Sequence, residues 1–428
     1  MAIVLHYFLG FILIVEVLTT NSCLQLTYSL SEENLHCGNF IINRITSSDE
    51  DNWGVICING EDLSNFNYRL PFKQMTDKYY RQFTTLTNCS IRDTENFNDI
   101  SMTFNIRSHL KLRDTKVILE DLFKELTYLE ILDLNKNNLQ SIDNPIFFNL
   151  VNLVNLTLSE NQIKEISRDS FCSLSYLKTL DISYNRLTYL NSEIFKTLHY
   201  LENLILNNNN LQEIPKNLLN ELSFLKNLQL HHNNIQSLDR TTFQNLSFVE
   251  NLDLSCNKIN EIPRDLFKDM TNLEELNLSY NNLTSLDETI FQNQNYLKHL
   301  NLAYNGLKEI PKNVFENLTF LETLDLSHNN LTTLDEKIFQ NLHLLKHLRL
   351  SYNQIGESSV NLFKNLENLE ILEICINNGI IFDRNTFQYL SKLKELRLST
   401  DQLKKMPIRL HNDVEKKVQI LIELKNNY

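Results

Sequence analysis

From residue 129 onward, apolar side chains return at a fixed interval. The frame Leu129-x-x-Leu132-x-Leu134-x-x-Asn137-x-Leu139 restarts at Leu153, Leu177, Leu201, Leu225, Val249, Leu273, Leu297, Leu321, Leu345, Leu369 and Leu393. Each step is 24 residues, so twelve repeats run from 129 to 416 without an insertion. Such self-similarity predicts one supersecondary unit per repeat, stacked so that neighbours bury a face that none could bury alone. Positions four and six alternate with polar residues, which predicts a short strand with one buried face. Position nineteen is Phe in ten repeats (Phe147, Phe171, Phe195, Phe243, Phe267, Phe291, Phe315, Phe339, Phe363 and Phe387), predicting a column of stacked rings opposite the strands.

Position nine is Asn in eleven repeats: Asn137, Asn161, Asn185, Asn209, Asn233, Asn257, Asn281, Asn305, Asn329, Asn353 and Asn377. A carboxamide both donates and accepts, so it can satisfy the backbone of the turn that leaves the strand. The last repeat carries Asp401 there. An ionised carboxylate cannot donate, so the ladder is expected to weaken at that end. Position fifteen alternates Pro215, Asp239, Pro263, Asp287, Pro311 and Asp335, and position two tends to alternate Glu and Lys, which suggests duplication in 48-residue pairs. Opposite charges on adjacent strands can pair across the sheet, although exposed pairs contribute little.

This frame resembles the typical 24-residue extracellular leucine-rich repeat of Toll-like receptor ectodomains, Slit-like and chaoptin-like adhesion proteins and secreted matrix proteins. The resemblance covers 129–416 and a shortened repeat at 105–128. A partial repeat, with Ile420 and Ile422 at positions four and six, occupies 417–428. The implied fold is an α/β repeat: a curved, horseshoe-like solenoid with a parallel concave β-sheet and short irregular or 3-10 segments on the convex side. Positions two, three, five, seven and eight are then expected to face solvent from the concave sheet. Residues 355–382 keep the repeat length but break its chemistry, with Ser358 at an aliphatic position and Gly379 followed by Ile380, Ile381 and Phe382.

A solenoid needs capped ends. Residues 23–104 are expected to form an N-terminal cap with irregular repeats, holding Cys23, Cys37, Cys57 and Cys89 as two disulfides of open connectivity. Their spacing departs from the compact cysteine cluster of common N-terminal flanks in the family. Ahead of them, residues 1–22 read as a secretory signal peptide, with an N-terminal membrane anchor as the alternative. Secretion is therefore expected, with no membrane span after cleavage. Cys172, at position twenty, is expected to be exposed and is a candidate for an intermolecular disulfide. Sequons at Asn88, Asn155, Asn245, Asn277, Asn282, Asn317 and Asn330 are glycosylation candidates.

The chain carries a formal net charge of -13, which disfavours nucleic acid as a partner. No catalytic motif is present, so an enzyme is not expected, and no cofactor is implied. Histidines on separate strands do not converge, so no metal site is expected. Position eight gives a polar-aromatic stripe: Tyr184, Asn208, His232, Cys256, Tyr280, Tyr304, His328 and Tyr352. Amphipathic rings are enriched at interfaces. Tyr184, His232, Tyr280, Tyr304, His328 and Tyr352, with Lys346 and Arg349 beside them, are the candidate ligand contacts. The expected partner is a protein ligand, a microbial or host ligand, or a receptor ectodomain, including a homo- or hetero-dimer with another leucine-rich-repeat protein. The resemblance suggests a soluble Toll-like ectodomain or decoy in innate immunity, with an adhesion or matrix protein as the alternative.

Overall fold

The computed structural model describes the short strands Leu5–Phe8, Phe11–Ile14, Leu18–Thr19, Ser22–Cys23, Asn34–Cys37, Phe40–Asn43, Cys57–Ile58, Thr84–Thr85 and His109–Lys111, residue 118, residues 123–356 apart from 125 and 144, and residues 361–377, 389–406 and 418–423. Apart from those short strands, the leader and cap expected over 1–104 lie outside the described residues, as do the side chains of Cys23, Cys37, Cys57, Cys89 and Asn88, Phe387, and the segment with Ser358 and Gly379 to Phe382. The chain divides into two compact units, Met1–Leu177 and Lys178–Tyr428.

In the first unit the strands His109–Lys111, Ile131–Asp133 and Asn155–Thr157 pair in parallel, Ile131 facing both His109 and Asn155. In the second unit eleven parallel strands follow one another from Thr179–Asp181 to Gln419–Glu423. Their register is an unbroken 24-residue offset: Leu204 faces Leu228, Leu228 faces Leu252, and Leu372 faces Leu396. From His109 onward the described strands of each unit thus form a parallel-strand solenoid built from the repeat itself. The strand Gln419–Glu423 continues this pairing, with Leu396 opposite Ile420 and Leu398 opposite Ile422.

The core follows the apolar frame. In the repeat starting at Leu273, the side chains of Leu273, Leu276, Leu278, Leu283, Leu286, Ile290 and Phe291 are all buried. Opposite the strands the chain advances through single turns closed by i to i+3 hydrogen bonds, as in Leu222 N–H to the Leu219 carbonyl (3.0 Å) and Leu225 N–H to the Leu222 carbonyl (3.0 Å). The position-nineteen rings form buried columns, with centroids 6.2 Å apart for Phe243–Phe267 and 6.3 Å for Phe267–Phe291. Pro and Asp at position fifteen start the same turn by different means. Pro presets φ. Asp239 instead accepts from the N–H and hydroxyl of Thr241 at 2.9 and 2.5 Å, a local hydrogen bond that draws its carboxyl below the usual range.

The position-nine carboxamides lock each repeat to the one before it. Asn257 Nδ2 donates to the carbonyls of Leu230 (3.0 Å), Leu254 (3.1 Å) and Ser255 (3.1 Å), while its Oδ1 accepts the Ile235 N–H (3.0 Å). Asn233 repeats the pattern with Leu206, Leu230 and Leu211. At the far end one of these bonds is supplied from a different residue. Asp401 is drawn into a short helix, Thr400–Lys405, capped by Ser399 in a capping box with Gln402. Gln402 Nε2 then donates to the Ile374 carbonyl at 2.7 Å. The donor that Asp401 cannot supply comes from the next residue.

Candidate binding surface

After each strand the chain must turn away from the sheet while its parallel ladder continues. Position eight makes that turn with a left-handed backbone, φ between 52° and 57° from Lys136 to Ile376. Its N–H donates to the position-seven carbonyl of the next repeat, for example Tyr280 to Ala303 (3.0 Å) and His328 to Ser351 (2.9 Å). Left-handed φ is unfavourable for most L-residues, so this bonding must hold it in place. Position seven does not face solvent as expected: Ser255, Ser279, Ser327 and Ser351 are buried. At Ser255, Ser279 and Ser327 an Asp or Asn two residues earlier accepts from the serine, whereas Ser351 follows Arg349 and is buried without that bond. Asp325 Oδ1 accepts from both the N–H (2.9 Å) and the hydroxyl (2.6 Å) of Ser327, and Asp253 takes the Ser255 N–H at 2.8 Å. An Asx turn folds these serines inward.

Four of the candidate contacts come together in one column. Tyr280 stacks on Tyr304 with centroids 4.0 Å apart, Tyr304 on His328 at 3.9 Å, and His328 on Tyr352 at 4.1 Å, with planes within 10–11°. Tyr280 remains half exposed. Tyr184 and His232 occupy the same turn position but are separated from this column in sequence by Asn208 and Cys256, and His232 meets His231 edge-on at 5.6 Å. Lys346 lies in the position-two row instead, its Nζ 2.7 Å from Glu322. Lys298 and Lys394 pair with Glu274 and Glu370 in the same way, and Glu202 takes both Lys178 and Lys226.

Beside the column, positions three to five of the second unit's strands line a depression of about 300 Å³, whose polar rim includes Asp253, Glu275, His299, Asp325, His347 and Arg349. The acids and His299 follow from period-two strand placement, but nothing in their spelling separates them from a solvated face. Arg349 Nε contacts Glu373 at 2.9 Å and its Nη1 contacts Asp325 at 3.5 Å. Burial works against the guanidinium charge, yet these two carboxylates outweigh it and raise its pKa above the ordinary arginine value. His299 Nδ1 lies 2.8 Å from Thr323 Oγ1. At one end, His231 Nδ1 is buried without a hydrogen-bond partner, 3.6 Å from Asp253. Burial lowers its pKa, more than the Asp253 carboxylate raises it.

The remaining candidates are scattered. Cys172 is half-buried rather than exposed, in a turn where its Sγ lies 3.7 Å from Ser173 Oγ. Cys256 is half-buried and its thiol pKa is raised by burial, whereas Cys375 is buried with Sγ 3.0 Å from Ser351 Oγ. Among the sequons, Asn245, Asn282, Asn317 and Asn330 are exposed and Asn155 is half-buried. The Asn277 amide belongs to the sheet face: Oδ1 accepts from Ser279 and Nδ2 donates to Asp253. Among the described residues no three His, Cys, Asp or Glu side chains converge as metal ligands, and no helix is long and apolar enough to cross a membrane.

A family model described as "Leucine rich repeat" matches residues 115–163, 127–187, 151–211, 175–235, 223–283, 248–307 and 295–355. No curated protein matches by sequence. Solved structures share the fold. Toll in the Drosophila Toll–Spatzle complex is 21% identical with a TM-score of 0.62, over 86% of this chain and 53% of Toll, so the chain spans about half of Toll's length. A leucine-rich-repeat protein of Leptospira interrogans is 25% identical with a TM-score of 0.63, over 79% of this chain and 89% of its own. TLR13, solved with single-stranded RNA, is 19% identical with a TM-score of 0.54, over 81% of this chain and 68% of its own.

Proposed function

The chain belongs to the leucine-rich-repeat family, and from that premise we propose that it is an extracellular recognition protein that binds a protein ligand on the open sheet face of its second unit. The observation that carries this reading is the column Tyr280–Tyr304–His328–Tyr352 beside the polar depression. Stacked rings lose little freedom on binding and present a large amphipathic area, which is what interface anchors require. Exposed sequons at Asn245, Asn282, Asn317 and Asn330, and the four cysteines expected to pair within 23–104, accord with secretion. A protein partner is favoured over nucleic acid because Arg349 is already engaged by carboxylates and Asp253, Glu275 and Asp325 line the same depression. The likeness in fold to Toll, which is held in complex with Spatzle, supports a role as a soluble ectodomain or decoy in innate defence.

The test is affinity capture from body fluid with the secreted chain, compared with the Tyr280→Ala/Tyr304→Ala/Tyr352→Ala variant and read by mass spectrometry. Proteins retained by the wild type and lost by a normally melting variant support the reading. Identical capture by both refutes it.

A further inference from the structure

A second row of side chains remains on the surface of the second unit, outside the sheet face. In the seven repeats from Leu201 to Leu345, the residue immediately before the frame is Tyr200, Phe224, Phe248, Asn272, Tyr296, Phe320 and Leu344, so the large apolar row is broken once, at Asn272, and ends before Asn368 and Lys392. The six apolar residues are between 41% and 53% exposed. Their rings form a ridge: Tyr200–Phe224 and Phe224–Phe248 have centroids 5.9 Å apart, and Tyr296–Phe320 6.0 Å. The buried Phe column already fills the core, so this ridge is not needed to close the fold.

We infer that this ridge is the contact surface between two copies of the chain. Three observations lead to a second copy rather than another partner. First, five half-exposed aromatic side chains and Leu344 leave roughly 100 Å² each, about 600 Å² in all. That is at the upper end for a solvated monomer patch and close to the ~800 Å² per partner of a standard interface once polar neighbours are added. Second, the row carries no charge. From His199 to Leu344, the ridge residue and the one before it include no Asp, Glu, Lys or Arg in any repeat. Two copies of a chain at -13 repel over most of their surfaces and can approach where charge is absent. Third, a ridge with a 24-residue tooth spacing matches itself, so a two-fold arrangement sets equal teeth against each other. The paired Glu–Lys row two residues further along, including Glu274–Lys298 and Glu322–Lys346, supplies a polar rim.

The experiment is analytical ultracentrifugation of the secreted full chain up to about 100 µM, a range that detects micromolar association. Asn245 and Asn317 lie three residues ahead of Phe248 and Phe320, so the chain is run with and without enzymatic removal of N-glycans. A dimer is expected in at least one form, tightening as salt is raised, because screening weakens like-charge repulsion. The Phe224→Asp/Phe248→Asp/Phe320→Asp variant should dimerise at least about tenfold more weakly with an unchanged melting curve. The milder Phe224→Ser/Phe248→Ser variant replaces it if the triple variant melts early. The Tyr280→Ala/Tyr304→Ala/Tyr352→Ala variant should dimerise as the wild type does, which separates this surface from the ligand face. A chain that is monomeric in both forms, a dimer that survives the ridge variants, or one that dissociates with salt overturns the inference.

Discussion

Position twenty-two of the repeat is Leu at Leu222, Leu246, Leu318, Leu342 and Leu366, but Gln at Gln294. Gln294 is only 1% exposed. Its Nε2 donates to the Phe267 carbonyl at 2.6 Å, while its Oε1 is buried without a partner. An unsatisfied buried acceptor costs about 1–3 kcal/mol, and a buried hydrogen bond contributes about 1 kcal/mol net. Gln294→Leu removes both. The Phe267 carbonyl is not stranded, because it still accepts the Met270 N–H at 3.0 Å. The new methyl groups enter a site shaped for Leu in neighbouring repeats and add apolar burial at about 0.8 kcal/mol per buried carbon. The expected result is a gain of about 1–2 kcal/mol, read as a higher urea midpoint at unchanged slope. Hydrogen exchange at the Met270 amide should slow with it, locating the gain in that turn. A variant less stable than the wild type refutes the reasoning: it would mean that a bound water satisfies Oε1 and that its loss outweighs the apolar gain.

Thr242 poses the same problem on a smaller scale. Its Oγ1 is buried without a partner at a position held by Ile194, Leu266 and Ile290 elsewhere, so Thr242→Val should add about 1 kcal/mol of stability, read as a higher urea midpoint. Asn257→Ala deletes three donated bonds and strands the Ile235 N–H. It should cost about 3 kcal/mol or more by denaturant titration, with exchange protection lost first in the adjacent repeats. His231 bears on acid stability. Its pKa is lowered by burial, so the unfolded chain binds a proton that the folded chain resists. Its contribution is intact above the model-peptide value of 6.5 and is lost as pH falls from there toward the lower folded value. His231→Asn should flatten the decline in melting temperature between about pH 7 and 5. Glu202 and Glu322, held low by their lysine partners, give up their stabilisation only at more acidic pH.

Much of the fold is legible residue by residue. The Leu frame, the Phe column and the Asn ladder each obey one local rule repeated every 24 residues, so identity at one position forecasts structure at the next. The ligand face is harder to read. Tyr280, Tyr304, His328 and Tyr352 are visible as a stripe, but Tyr184 and His232 share the stripe without joining the column. Ser327 at position seven looks exposed until Asp325, two residues earlier, is seen to fold it inward. The ridge from Tyr200 to Leu344 has a signal in the sequence, a large apolar residue before six of the seven frames it spans, but apolar spelling does not reveal exposure.

The sequence by itself determined the repeat length, the parallel register and the composition of the core. These depend on which side chains recur, and recurrence is written in one dimension. Only the tertiary structure decided what neighbours do to one another. It placed four rings at stacking distance, supplied Gln402 where Asp401 could not donate, and left Oε1 of Gln294 without a partner. Each of these rests on atoms from residues at least 24 apart in the chain or on a helix turn that the repeat does not encode. A pattern fixes where a side chain stands, but its hydrogen-bond partners and exposure are set by the surface that packs against it.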